Sequence, residues 1–223
     1  MLQYANTRNA YHNQEKWMFE GEGVYGIPPL PPVDVPLDGC KFVRFDLALK
    51  APHPELLIVH FFTDDWIFER IWRLPEKYLP ILGKFRAVVA PDFSLYQDWP
   101  LMPNMWNHFR KHWLGAYWSA MGITVIPSPS WVLGSEECFS WCLDGEPEGS
   151  TICISSQAAI KGDVRKRQFE AGWATAMERL DPARVYLFGD MPESLHLDCP
   201  GELIHVENDI MLAKRRYCKR GKE

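Results

Sequence analysis

Seven short apolar runs, each closed by Pro, Gly, Asp or Ser, constrain this chain more than any other feature. They read "KFVRFDLAL", "ELLIVHFF", "RAVVAPDF", "ITVIPS", "STICISS", "RVYLFGD" and "ELIHV". Each has the length and β-branched content of a strand buried on both faces. Helical patterns lie between several of them. Over residues 103–121, Trp106, Phe109, Trp113, Tyr117 and Met121 recur at steps of three or four, and Gly122 follows as a stop. Residues 163–180 repeat the scheme with Phe169, Trp173, Ala176 and Leu180 on one face. Shorter helices are expected in "SEECFSWCL" and "LPEKYLPILGK". Parallel neighbours need a crossover, so this alternation predicts an α/β fold with a mostly parallel sheet of about seven strands. A barrel-like closure is the favoured form and an open doubly wound sheet the alternative. No GxGxxG follows a strand and no Walker sequence is present, which removes the two commonest nucleotide signatures of open sheets.

With 223 residues, 47% hydrophobic and 24% charged, the chain suits one soluble core. The reading divides it into an N-terminal arm and proline-rich linker (1–39), a single α/β domain (40–209) and a basic tail (210–223). The linker "GIPPLPPVDVPLDG" is too rich in proline for a helix or a central strand and is expected to run extended over the surface. The tail carries Lys214, Arg215, Arg216, Lys219, Arg220 and Lys222, suited to phosphates, to an acidic partner or simply to solvent. A net charge of -5 argues against wholesale coating of nucleic acid. No run is long and apolar enough for a membrane span and the first residues lack the apolar core of a signal peptide, so the expected location is the cytoplasm. Six cysteines without a CxxC pair read as reduced and structural. Ten tryptophans serve cores, interfaces and stacking platforms alike, so their number alone selects none of these.

In parallel α/β folds ligands meet the carboxyl ends of the strands. One such end breaks abruptly into polar residues: "VVAPDFSLYQDWP" places Asp92, Ser94, Tyr96 and Asp98 directly after an apolar run. Other ends carry Thr63, Asp64 and Asp65; Ser128, Ser130 and Trp131; Ser155, Ser156 and Gln157; and Gly189 with Asp190. If these ends converge, carboxylates at Asp65, Asp92 and Asp190 face one another beside hydroxyls and an indole. Such a set suits Mg²⁺, bound through one or two carboxylates and substrate phosphates, and equally suits acid–base work between carboxyls of different pKa. The structural alternative is that Asp65 and Asp190 cap helices and Asp98 closes a turn. His108 and His112 share a helix spacing, yet no HExxH glutamate intervenes. Cys138 and Cys142 read as packing, and no GxSxG elbow exists. Arg70, Arg110 and Lys111 supply positive charge near the proposed mouth. Arg110 is expected to pair with Asp92 or Asp98, or to hold a phosphate.

Three stretches together, "FFTDDWIFERIWRLPEKYLPILGKFRAVVAPDFSLYQDWPL", "WNHFRKHWLGAYWSAMGITVIPSPSW" and "CLDGEPEGSTICISS", resemble domain-of-unknown-function family 4417, found in bacteriophages, plasmids and related mobile elements. The resemblance covers roughly residues 42–190. The residues matching the family pattern include Asp64, Asp65, Phe68, Pro91, Asp92, Phe93, Ser94, Tyr96, Asn107, Arg110, Trp131 and Ser155, while Leu143 departs from a position more often aromatic. The arm before Gly39 and the basic tail look particular to this chain. The resemblance implies a viral or mobile-element protein of the infected bacterial cytoplasm, and the family's name assigns no reaction. The resulting expectation is a strand-end pocket with Asp65 and Asp92 as catalytic or Mg²⁺-holding residues and Ser94, Tyr96, Asn107, Arg110, Trp131 and Ser155 as ligand contacts. Its ligand would be a phosphorylated small molecule, a nucleotide or a nucleic-acid end. The alternative is a non-enzymatic protein that engages a host or phage protein through a Trp-rich surface and basic tail, with oligomerisation through the same aromatics compatible with either.

Overall fold

A computed structural model describes residues 13–157 and 159–206. Seven strands follow one another in chain order: β1 (Lys41–Arg44), β2 (Leu57–His60), β3 (Ala87–Val89), β4 (Val125–Ile126), β5 (Thr151–Ser155), β6 (Arg184–Phe188) and β7 (Glu202–Val206). Each of the seven apolar runs contains one of them. The helices are α1 (Asn13–Lys16), α2 (Phe45–Ala48), α3 (Asp65–Phe68), α4 (Arg70–Arg73), α5 (Pro75–Leu82), α6 (Leu101–Ala120) and α7 (Asp163–Leu180). "SEECFSWCL" yields only a 3-10 turn, Glu137–Ser140. Every strand pair is parallel, in two sheets ordered β1-β2-β3-β4 and β5-β6-β7.

The expected barrel is not closed. Among the described residues β1 and β7 are not paired, and the sheets meet through one backbone bond, from the Cys153 N–H to the Pro127 carbonyl at 2.9 Å. The break at β4 has a local cause. This strand has only two residues before Pro127 and Pro129, neither of which has an N–H to extend a ladder.

Side chains alternate along the strands with period two. Ile58, Ala87, Val89, Ile126, Cys153, Tyr186 and Phe188 face one shared apolar cluster, joined by Phe42 and Ile204. Their neighbours face outward to the helices. Val59, Val88 and Val125 pack with Trp113, Trp118 and Phe68, whereas Ile152, Ile154, Val185 and Leu187 pack with Phe169 and Trp173 of α7. Both sheets therefore turn one face to a common interior and the other to helices, and no helix of the described residues is long and apolar enough to cross a membrane.

The proline-rich segment departs from expectation. It is irregular, as its sequence demands, yet Ile27, Leu30 and Val35 are buried. Its backbone is tied to the second sheet: the Thr151 N–H donates to the Val33 carbonyl (2.7 Å), the Val35 N–H to Thr151 Oγ1 (3.1 Å) and the Tyr186 hydroxyl to the Val35 carbonyl (2.8 Å). A run with Ile, Leu and Val between its prolines has apolar area to bury, and burying it outweighs exposure of the prolines. The basic tail lies outside the described residues. Replacing Leu30 with alanine is expected to lower unfolding free energy by about 2–5 kcal/mol, the range for a buried leucine, in urea denaturation. A linker lying on the surface would leave it within about 0.5 kcal/mol.

Candidate functional site

The carboxyl ends of β2, β3, β4 and β5 open into one cleft of about 1110 Å³. From the β2 end come Asp64, Asp65 and Trp66; from the β3 end Asp92, Ser94, Tyr96, Asp98 and Trp99. The β4 end adds Ser130 and Trp131, the β5 end Ser155 and Gln157, and α7 adds Arg165. Six of the eight sequence candidates, Asp65, Asp92, Ser94, Tyr96, Trp131 and Ser155, thus share one cavity.

The loop after β3 is held by its neighbours. Asp65, at the start of α3, accepts from the Ser94 N–H (3.1 Å to Oδ2) and hydroxyl (2.8 Å to Oδ1) instead of capping its own helix. Asn104 of α6 grips Tyr96 twice, accepting from its N–H and donating to its carbonyl, both at 2.9 Å. Asn107 donates to the Ser94 carbonyl at 2.7 Å. These bonds replace the ladder that Pro91 ends, and they leave Tyr96 exposed with its ring 4.5 Å from that of Trp99.

Two candidates fall outside the cleft. Arg110 does not pair with Asp92 or Asp98: its Nη1 donates to both Glu69 oxygens (2.9 and 2.8 Å), its Nε to Asn107 Oδ1 (3.1 Å), and its guanidinium lies 3.8 Å from the Phe93 ring centroid. Glu69, the residue immediately before α4, supplies the carboxylate that Arg110 meets, and cation–π contact adds to the pairing. Asn107 acts through Ser94 and not as part of the lining. Asp190 also stands apart, exposed, with its carbonyl accepting from Ser156 Oγ at 2.8 Å. The three-way carboxylate convergence is therefore two-way, with Asp64 and Asp98 added at the rim.

Trp131 is only 8% exposed and lies against Phe169 at 5.4 Å. A Cβ on Gly172 would sit 2.1 Å from its Nε1, so only glycine at that point of α7 lets the indole lie flat there. Of the aromatics lining the cleft, those that reach solvent are Trp66, at 77% exposure, Tyr96 and Trp99. Of the seven tryptophans that a sticky surface would have used, Trp72, Trp113, Trp118 and Trp131 are buried; Trp66, Trp99 and Trp106 remain exposed.

A buried charge cluster lies behind the floor. Lys111 of α6 is 1% exposed, and its Nζ donates to the Ser128 carbonyl (2.8 Å), Glu146 Oε1 (2.9 Å) and Ser130 Oγ (3.4 Å). His112 Nε2 lies 3.2 Å from the same Glu146 oxygen, and its Nδ1 lies 3.0 Å from the Pro28 carbonyl. Burial works to raise the Glu146 carboxyl, but the charges of Lys111 and His112 and their hydrogen bonds outweigh it and hold it at about 2. Burial pushes Asp92 up to about 7, opposed by the Lys111 charge and reinforced by Asp65 and Glu146. His60 at the β2 end is held down at about 3, by burial first and by the Arg44 charge second, so it is neutral at ordinary pH. Among the described residues no group of three or more His, Cys, Asp or Glu side chains is placed to hold a metal ion. The His108 and His112 rings lie with centroids 4.4 Å apart, tilted at 54°, and Cys138 and Cys142, both free, lie with sulfurs 3.6 Å apart.

Sequence reasoning missed Glu146 and Asn104 as builders of the site, and it named Lys111 as a positive group near the mouth whereas the side chain is buried against Glu146. The signal was a polar stripe on α6, Asn104, Asn107, His108, Lys111 and His112, at the same three-and-four spacing as the apolar one.

These features define an α/β protein with an acidic, aromatic-rimmed cleft at its strand ends. The chain belongs to the family described as "Domain of unknown function (DUF4417)", whose model matches residues 19–206. The match extends beyond residues 42–190 and takes in the whole proline-rich segment, 26–39, which is therefore not particular to this chain. It is similar to "Gene 1 protein" of Mycobacterium phage D29, 39% identical over 178 residues, covering 77% of this chain and 63% of that protein. It is similar also to "Gene 1 protein" of Mycobacterium phage L5, 36% identical over 186 residues, covering 82% of this chain and 79% of that protein. No solved structure matches.

The Asp92 carboxyl ordinarily titrates near 3.8 and is raised in the fold, so its contribution to stability is complete below that pH and is lost as pH rises through about 7. Asp92→Asn is expected to melt above the wild type at pH 8 by several degrees, at about 2–4 °C per kcal/mol, and level with it at pH 4. Differential scanning calorimetry across that range checks it, and a variant that melts lower at every pH makes Asp92 a structural residue instead.

Proposed function

We propose that the cleft binds a phosphorylated ligand carrying a flat ring, a nucleotide or the end of a nucleic-acid strand, and that Asp65 and Asp92 do chemistry on it. The observation that carries this reading is Asp92: a carboxyl raised to about 7 in a cleft beside a second carboxylate that is anchored by Ser94. A group that titrates near neutrality gives or takes a proton at working pH, the property asked of a general acid or base. Exposed Trp66, Tyr96 and Trp99 offer faces on which a base stacks, a contact worth about 1–3 kcal/mol per base. Arg165 of α7 brings positive charge to the lining of the cleft.

Four aspartates line this cleft, so a bare phosphate would meet repulsion. Mg²⁺ resolves it: two carboxylates and the ligand's own phosphate oxygens suffice for this ion, which keeps several waters. In that arrangement the two parallel sheets around one apolar interior serve as a frame with its working end at the loops that follow the strands. Among the described residues, capture of a host or phage protein by a Trp-rich surface is left with Trp17, Trp66, Trp99 and Trp106, and Trp66 and Trp99 belong to the cleft.

The test is the melting temperature against nucleotides, cyclic nucleotides and short oligonucleotides, each with and without Mg²⁺. A ligand at 100 times its dissociation constant stabilises by about 2.7 kcal/mol. A Mg²⁺-dependent rise that disappears in Asp92→Asn is the expected result, and no rise with any member of the panel overturns the reading.

A further inference from the structure

We propose that the strand-end cleft is a docking site for the chain's own basic segment, residues 210–223, whose lysines and arginines pair with the cleft's aspartates and lie over its exposed rings. That segment falls outside the described residues and enters through its sequence, "IMLAKRRYCKRGKE", and through the place where the fold releases it. Four aspartates line the cleft against one cation, Arg165. Asp64 and Asp98 are exposed at its rim, beside the open faces of Trp66, Tyr96 and Trp99. An ammonium or guanidinium set among such groups gains charge-assisted hydrogen bonds from the carboxylates and cation–π contact from the rings. Residues 210–223 hold six of the chain's 24 lysines and arginines and one of its 29 acidic residues, so the positive charge is concentrated where the rest of the chain is acidic.

The topology delivers that charge to the right end of the molecule. Ser155, at the carboxyl end of β5, lines the cleft and is in register with Phe188 of β6, which is in register with Val206, the last residue of β7. Parallel neighbours stand about 4.8 Å apart, so the chain leaves β7 only about 10 Å from Ser155. Residues 207–213 reach at most about 25 Å when extended, which brings Lys214 and the cations after it within range of the lining. Exposed ion pairs are weak one by one. A tether of this length compensates by holding the segment at a local concentration on the order of millimolar. A ligand of the cleft then has to displace the segment, because both use the same carboxylates and the same ring faces. That consequence rests on the reading of the cleft as a ligand site; the docking itself does not.

The first test is carbodiimide cross-linking of the full-length protein, which joins a lysine to a carboxylate it touches. Peptide mass spectrometry of the monomer is expected to find Lys214, Lys219 or Lys222 linked to Asp64 or Asp98, and to lose the link in about 1 M salt. Lys166 and Glu170, 3.9 Å apart on α7, serve as the internal control. The second test uses a full-length variant in which Lys214→Gln, Arg215→Gln, Arg216→Gln, Lys219→Gln, Arg220→Gln and Lys222→Gln are combined. A fluorescent peptide of residues 210–223 is expected to bind this variant at least tenfold more tightly than the unaltered protein, whose cleft is already occupied. Adding Asp64→Asn and Asp98→Asn to the variant is expected to weaken the peptide tenfold or more. Equal binding to variant and unaltered protein, indifference to the two aspartates, or no link where the control pair is joined overturns the proposal. A link found only between two chains also overturns it, assigning the segment to the cleft of a second copy. Neither test contains a nucleotide. Docking together with a nucleotide panel silent on unaltered protein and variant alike therefore retires the ligand proposal alone, and a Mg²⁺-dependent rise without the cross-link retires the docking alone.

Discussion

The ion pair between Lys111 and Glu146 is the interaction on which the arrangement of this molecule turns. Two opposite charges with no access to water are costly unless their remaining donors and acceptors are satisfied, and satisfying them dictates what must stand nearby. Lys111 needs the Ser128 carbonyl, which sets the course of the chain as it leaves β4. His112 brings its second nitrogen to the Pro28 carbonyl, and the Leu30 N–H closes the same region by donating to Gly145 at 2.9 Å. Gly145 has φ +77, and a Cβ there would lie 2.7 Å from the Pro28 oxygen, so the close approach requires glycine. One buried pair therefore fixes helix α6, the end of β4, the loop before β5 and the proline-rich segment.

Helix α6 explains how the cleft acquires a stable floor without regular structure in its loops. One side of the helix gives Trp113, Leu114 and Trp118 to the apolar core. The other gives Asn104 and Asn107 to the loop after β3 and Lys111 to the loop after β4. The loops are irregular but their backbone groups are answered by side chains of a rigid element, the arrangement that holds a site to sub-ångström tolerance. The tension at Asp92 is what remains: the same burial that gives the carboxyl an unusual proton affinity makes its charged form a burden on the fold.

Strands and long helices were legible because each rests on a local period. All seven runs carry a strand, and α7 spans the residues its pattern marks. Convergence of strand ends was legible too, since parallel order forces Asp65, Asp92 and Ser155 to one end of the sheets. What escaped depended on contacts distant in sequence. Whether Arg110 meets Asp92 or Glu69 is a matter of helix rotation, which an apolar stripe fixes only to within a residue or so. The burial of Leu30 depends on space left beside Gly115, whose added Cβ would come within 2.7 Å of it. Nor does a strand count reveal that two residues flanked by prolines are too few to carry a ladder from one sheet to the next.

The hydrogen bond from the Val33 N–H to Ser150 Oγ joins residues 117 apart in the chain. Everything between them, including the whole first sheet and α6, can form from contacts nearer in sequence, and Pro28 and Leu30 meet His112, Gly115 and Gly145, but Val33 and Val35 find their hydrogen-bond partners only at residues 150, 151 and 186. On a ribosome, where the amino end emerges first, the residues of the first sheet are therefore made before the partners of residues 33–35, whose backbone bonds wait for the second sheet. The order of synthesis and the order of closure run in opposite directions, so the last step of folding belongs to one of the earliest stretches of chain.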